Sequence, residues 1–320
     1  MYYNMDWAVE LGKYSLRLMA GCEIHKSVDI LAATCTITLP GFAYNKAFEV
    51  EDKLKRGDKV VVKLGYSEVM NKPKEEFTGY LLSVSTDGGS LTLNCEDELF
   101  TLRKNVNDKQ FLKTTTKQLA QYLLSETKSQ LKLNVTLTID YDKFVISKAT
   151  AYDVLKKLKE ETKANIFIKD GTLHIHPPYS EEFELVQYSF QQNIEKDDLQ
   201  YIRAEDKKVE VIVSTTGKDG NKKEVRYGTS GGEKIEIDGS GMSEAGMRKR
   251  AELEHDLHVL DGYEGSITTW LIPSIRPGDT AKVKDADYPY KDGRYYVTAV
   301  TTTFGESGAS RKVQLGKKLA

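Results

Sequence analysis

The chain has 320 residues, 39% apolar and 29% charged, which fits two or three soluble globular domains and excludes a disordered one. Lys+Arg (46) and Asp+Glu (48) nearly cancel to a net charge of −2, so the basic surplus of a dedicated nucleic-acid binder is missing, and no apolar run reaches the length of a membrane span. Met1-Tyr2-Tyr3-Asn4-Met5-Asp6 lacks the basic and apolar regions of a signal peptide. Cys22, Cys35 and Cys95 are odd in number and set among strand-like residues, so they read as buried free thiols of a protein made in a reducing cytoplasm.

In chain order, the first hundred residues read as β. Leu16, Leu18 and Met19 suggest an early strand. Ala33, Cys35, Ile37 and Leu39 alternate with three threonines, the period of a half-buried strand, and Pro40-Gly41 ends it. Lys55-Arg56-Gly57-Asp58 is a turn that feeds Val60-Val61-Val62, and Phe77-Thr78-Gly79-Tyr80 leads into another strand. Asp87-Gly88-Gly89 opens a hairpin into Leu91–Cys95.

From about residue 106 the period changes. Ala120, Leu123, Leu124, Thr127 and Leu131 form one stripe of a helix over 115–131, and Asn134–Ile139 alternates as a strand. Thr150-Ala151-Tyr152-Asp153 has the spacing of a capping box before a second helix. Ile166–Lys169, Asp170-Gly171 and Thr172–His176 form a hairpin with a type I′ turn. Residues 179–207 read as a polar connector with one strand near Val186–Phe190. The β pattern returns at Val209–Val213, turns at 218–221, and resumes at Ile235–Ile237. Ser243 caps a helix to about Leu260, with Leu253, Leu257 and Leu260 on one face and Gly262 beyond it, and a strand follows at Ile267–Leu271.

Near the end, Arg276-Pro277-Gly278-Asp279 is again a turn feeding a strand, because Pro277 presets φ and Gly278 accepts positive φ. Asp292-Gly293-Arg294-Tyr295-Tyr296-Val297 follows as Gly79-Tyr80 follows the first turn. Gly57-Asp58 and Gly278-Asp279 lie 221 positions apart, so the chain carries a long-period internal duplication. The expected structural residues of that module are Gly57, Asp58, Gly79, Pro277, Gly278, Asp279 and Gly293.

Motifs with chemistry yield little. Arg56-Gly57-Asp58 spells an adhesion tripeptide, but its counterpart Pro277-Gly278-Asp279 shares only the turn. Gly239-Ser240-Gly241 lacks the third glycine and the Gly-Lys-Ser/Thr of phosphate loops, and reads as a strand-to-helix turn. His174/His176 and His255/His258 are each a pair without a further ligand at metal spacing, so no metal is expected. No nucleophile or zincin motif occurs, and no catalytic residue or cofactor is assigned. The 18 tyrosines are spread through β segments, where strand propensity accounts for them.

The ordered set of Thr36–Gly41, Gly57-Asp58 with Val60–Val62, Phe77–Tyr80, the helix before Gly262 and Gly265, Pro277-Gly278-Asp279, and Gly293–Val297 with a last strand near Val313–Leu315 resembles the baseplate hub proteins of contractile-tailed phages and injection systems. These are the late control protein D family and the hub part of the type VI secretion spike. The resemblance implies an α+β, mainly β fold: two similar tube-protein-like antiparallel β-barrels with an intervening small α/β domain. The expected boundaries are a first barrel over 1–105, an inserted α+β domain over 106–178, a connector over 179–207, and a second barrel with one helix over 208–320. It further implies a homotrimeric pseudo-sixfold ring that joins the tail tube protein to a separate trimeric spike protein, since no β-helical extension or lysozyme-like segment is seen, alongside other baseplate proteins. Such a ring belongs to the virion tail or injection particle, assembled in the bacterial cytoplasm, with no cofactor, no sequence-specific nucleic-acid binding and no membrane insertion. Two other classes stay open: a phage-associated cell-wall hydrolase or peptidoglycan-binding protein, and a soluble glycan-binding β module.

Overall fold

The computed structural model of the chain describes residues 4–40, 54–67, 72–87, 90–180, 183–216 and 221–319. Gly41, the Gly88-Gly89 turn and most of the 218–221 turn lie outside the described residues. The fold is mainly β, with antiparallel pairing dominant and three helices among the described residues. Two compact units divide it: residues 1–100, 183–199 and 265–319, and residues 101–182 with 200–264.

The first unit is built on one sheet. Its strands run in the order Ile194–Asp197, Ser266–Thr269, Gly308–Leu319, Gly293–Gly305, Gly21–Ser27, Thr34–Leu39, Ser90–Glu96 and Lys74–Asp87, and continue through Lys59–Tyr66, Met5–Leu11 and Tyr14–Leu16. Alternation decides which face is buried. Ile24, Cys35, Ile37, Leu93 and Cys95 point into a core shared with Val9, Leu11, Val60, Val62, Leu64 and Phe77. The three cysteines are free and buried there, with Cys22 Sγ 3.7 Å from Cys35 Sγ, and the hydrogen bond with Cys22, then burial, raise the Cys35 thiol well above its ordinary range. These thiols pack as small apolar groups.

The second unit holds the three helices. Thr115 and Thr150 close capping boxes with Gln118 and Asp153 at the starts of Thr116–Glu126 and Ala151–Thr162. The first helix stops at Thr127, whose hydroxyl donates to Leu123 O at 2.8 Å, so Leu131 lies beyond it. Asp170 and Gly171 have φ of 49° and 68°, as a type I′ turn needs, between Asn165–Lys169 and Thr172–His176. Val209–Thr216 is the centre of a separate three-stranded sheet, antiparallel to Lys222–Gly228 and parallel to Glu233–Asp238. Helix Glu244–His258, capped by Ser243, packs on that sheet.

Several expectations shift. Residues 208–264, expected in the second barrel, group with the inserted residues, because Val209, Val211 and Val213 are buried under their own helix. The connector contains Leu185–Ser189, Ile194–Asp197 and Gln200–Ile202 rather than one strand; the last two are only four and three residues long and mostly exposed, too short to show an alternation. Leu18 and Met19 fall outside the Tyr14–Leu16 strand. The expected strand over 134–139 is instead Lys132–Val135, and Asp140–Ile146 begins a pairing with Lys109–Thr115. Leu137 and Ile139 are buried without being in a ladder.

Candidate functional site: a duplicated module with two open sheet edges

The two corners superpose bond for bond. Asp58 N–H donates to Lys55 O at 2.9 Å, and Asp279 N–H donates to Arg276 O at 3.1 Å. The aspartate side chains close the turns from the other side: Asp58 Oδ2 accepts from Lys55 N at 2.9 Å, and Asp279 Oδ2 accepts from Arg276 N at 2.7 Å. Gly57 and Gly278 sit at φ of 94° and 90°, the third position of a type II turn, where a side chain is strained. Gly57 N–H donates to Leu81 O and Gly278 N–H to Val297 O; Asp58 O and Asp279 O accept from Leu81 N and Val297 N in return. Asp58 of the Arg-Gly-Asp tripeptide is thus committed to its own turn. Burial raises the carboxyl of Asp279 despite the bonds it accepts from Arg276 and Glu184.

The equivalence extends through the strands. Lys59 pairs with Tyr80 as Thr280 pairs with Tyr296, and Val60 with Gly79 as Ala281 with Tyr295. The register therefore matches Tyr80 to Tyr296 and Gly79 to Tyr295, whereas the sequence had set Gly79 beside Gly293. Gly293 instead pairs with Val283, two positions along the strand. Gly79 has its own reason: a Cβ there would lie 2.1 Å from Glu96 O. Each module then skips one residue in the next ladder, Leu82 between Leu81 and Ser83, and Thr298 between Val297 and Ala299. Leu93 and Val313 take the same place in the hairpin partners, and Ile37 and Ile267 the same place beyond them.

Each module contributes four strands to the eight-strand run. The modules meet inside the chain where Gly293–Gly305 pairs antiparallel with Gly21–Ser27, from Ala299 opposite Ser27 to Gly305 opposite Gly21. Among the described residues the outer counterparts of these two strands have open edges. Ile194–Asp197 pairs only with Ser266–Thr269, and Ser83–Asp87 pairs only with the hairpin strand Ser90–Asn94. The pairing of Lys74–Asp87 with Lys59–Tyr66 has already ended at Tyr80.

The outer face of the run is rich in hydroxyls: Thr36, Thr38, Thr92, Ser85, Thr301 and Thr303 share it, and His25 Nδ1 lies 2.9 Å from Thr301 Oγ1 across the module junction. The inner face of the junction holds a group that sequence reasoning missed. Arg311 is fully buried; it donates to Leu271 O at 2.8 Å, to Pro273 O at 3.0 Å and to Glu76 Oε1 at 2.7 Å. Lys26 Nζ donates to Glu76 O, and burial lowers its pKa against the pull of Glu76. A single Arg in a strand carries no local signal of such a role.

Among the described residues no group of three or more His, Cys, Asp or Glu side chains is gathered to hold a metal, and no helix is long and apolar enough to cross a membrane.

No protein-family model matches the chain, and no curated protein matches it in sequence. Solved structures do match. A 43 kDa tail protein of prophage MuSo2 from Shewanella oneidensis is similar over 98% of both chains, with a TM-score of 0.67 and 17% identity. A tail protein from Neisseria meningitidis MC58 is similar over 98% of this chain and 97% of its own, with a TM-score of 0.66 and 15% identity. An Escherichia coli component of the type VI secretion system, described as structurally similar to the T4 bacteriophage tail proteins gp27 and gp5, is similar over 98% of this chain and 79% of its own, with a TM-score of 0.59 and 11% identity. Over its whole length, this chain has the fold of phage tail proteins.

Proposed function

We propose that the chain is the hub of a contractile phage tail or related injection particle. Three copies close into a ring that joins the tail tube to the central spike and seats other baseplate proteins. The observation that carries this reading is the module junction. One chain already pairs the Gly293–Gly305 strand of one module with the Gly21–Ser27 strand of the other, and among the described residues it leaves the counterparts of both strands open. An unpaired edge is a template for another strand, and a head-to-tail contact that closes by rotation makes a ring.

Repeating the junction between chains lets Ser83–Asp87 of one copy take Ile194–Asp197 of the next. Three copies then present six similar modules on one side and a true threefold on the other, which suits a sixfold tube and a trimeric spike. At ~4.8 Å between strands, about 24 strands give a cylinder of roughly 37 Å or more, and barrels of 16–18 strands already enclose a channel. The hydroxyl-rich face supports a passage that cargo wets without sticking. The role is mechanical: the ring holds spike to tube and is carried or opened when the sheath contracts.

Native mass spectrometry of the full chain, with negative-stain images, tests the ring. Rings of three are expected, with more than ~2,000 Å² buried per pair as in obligate assemblies. A chain that stays monomeric at micromolar concentration, both alone and with its tube and spike partners, sinks the proposal.

A further inference from the structure

We propose that His174 and His176 chelate a late divalent transition ion of the copper(II) or nickel(II) class. Both histidines lie on the strand Thr172–His176 of the second unit, two residues apart, so their side chains share a face. Their rings are turned toward each other: His174 Nδ1 is 3.1 Å from His176 Nε2. An ion at ~2.0–2.1 Å from both nitrogens would see them at an angle of about 98°. That angle is close to the right angle of a square or tetragonal site, which imidazole nitrogens give to copper(II) and nickel(II), and it is below the tetrahedral angle that zinc prefers.

The second shell is in place. His176 Nδ1 lies 2.9 Å from Thr136 Oγ1, so a proton held there puts the lone pair of Nε2 on the side of His174. The His174 ring stacks on its cross-strand neighbour Phe167, with centroids 4.8 Å apart and planes 1° from parallel. Both rings are therefore oriented before any ion arrives. In the metal-free chain one proton bridges the two nitrogens; on binding it moves to His174 Nε2, and the ion takes its place with no net proton release. Water or a donor from another molecule fills the remaining positions.

The other histidine pair lacks this arrangement. His255 Nδ1 lies 3.5 Å from Asp256 Oδ1, and His258 Nε2 lies 3.2 Å from Glu254 Oε1, so each ring is turned to its own carboxylate.

Calorimetric titration of the full chain with nickel(II) chloride or copper(II) chloride is expected to show one equivalent bound. His174→Asn and His176→Asn should each weaken binding more than about tenfold, and Thr136→Val by about tenfold. Binding should also weaken as pH falls through the imidazole range, because protons compete for the same lone pairs. A His255→Asn/His258→Asn variant should bind as the unaltered chain does. Copper(II) electron paramagnetic resonance of the unaltered chain requires no variant to fold, and it should show coupling to two imidazole nitrogens. No uptake, a spectrum without imidazole coupling, or binding that survives both single variants overturns the proposal.

Discussion

Arg311 Nη2 donates to Glu76 Oε1 at 2.7 Å, and this one ion pair ties the last hairpin of the second module to a long strand of the first. Leu91 occupies the register position in the first module that Arg311 occupies in the second, opposite Leu39 as Arg311 is opposite Thr269. Removing one partner strands the other charge without water. Glu76→Ala is expected to cost about 3–5 kcal/mol, and the double change Glu76→Leu/Arg311→Leu much less, since replacing a buried pair with apolar side chains is often near neutral. Urea unfolding midpoints of the two variants check this; a double variant as unstable as the single one would refute the account.

The corner glycines should differ in rank. Gly57→Ala places a side chain at positive φ but meets nothing nearer than Phe100 at 3.6 Å, so the cost is the backbone strain of roughly 1–2 kcal/mol. Gly278→Ala adds a contact of 2.8 Å with the Phe183 ring and should be worse. Gly79→Ala drives a Cβ into backbone at 2.1 Å and should abolish the folded first unit. Thermal melts of the three variants should fall in that order.

Asp97 gives a pH signature. Its carboxylate accepts from Ala33 N at 2.7 Å and Leu99 N at 3.0 Å, yet burial dominates and pushes its pKa up to about 6 from 3.8. A raised carboxyl pKa favours the folded state where the group is protonated. The associated stability is full below about pH 4 and is lost as pH rises through 6, by roughly 3 kcal/mol in all. Measured against Asp97→Asn, the unaltered chain should lose relative stability across that window. A difference that does not vary with pH refutes the assignment.

The two capping boxes should respond differently to acid. Thr150→Ala and Thr115→Ala should each cost ~1 kcal/mol at neutral pH. Hydrogen bonds from Thr150 hold the Asp153 carboxyl below its ordinary range, so its contribution is present above the usual carboxylate pKa and lost as pH falls through the lowered value. Gln118 at the other box does not titrate. The cost of Thr150→Ala should therefore shrink in acid while that of Thr115→Ala stays level, as read by chemical denaturation at both pH values.

Much of this architecture is legible in the chain itself. Period-2 alternation marks Thr34–Leu39, two capping boxes mark their helices, Asp170-Gly171 marks its turn, and the repeat of Gly-Asp marks the module. What escapes is set by partners far away in sequence. Ile194–Asp197 is four residues long with three of them exposed, so no apolar rhythm announces it. Glu76 and Arg311 are 235 positions apart, and nothing near either residue predicts that the other neutralises it. The match of Gly79 with Gly293 fails because a ladder is set by register, which short repeated letters do not fix.

The strands flanking the two corners run in opposite senses: Met5–Leu11 is antiparallel to Lys59–Tyr66, while Leu185–Ser189 is parallel to Thr280–Lys284. A straightforward tandem copying of the whole module would have kept one sense. What the two modules share is therefore the corner, the two strands it ties, their bulge, the hairpin beyond and the strands next to it, but not the flanking strand. The flanking strand differs on each side: Met5–Leu11 precedes the other strands of the first module, and Leu185–Ser189 follows the inserted residues. That leaves the chain free to lengthen or exchange residues 101–182 and 200–264 without disturbing the part that repeats.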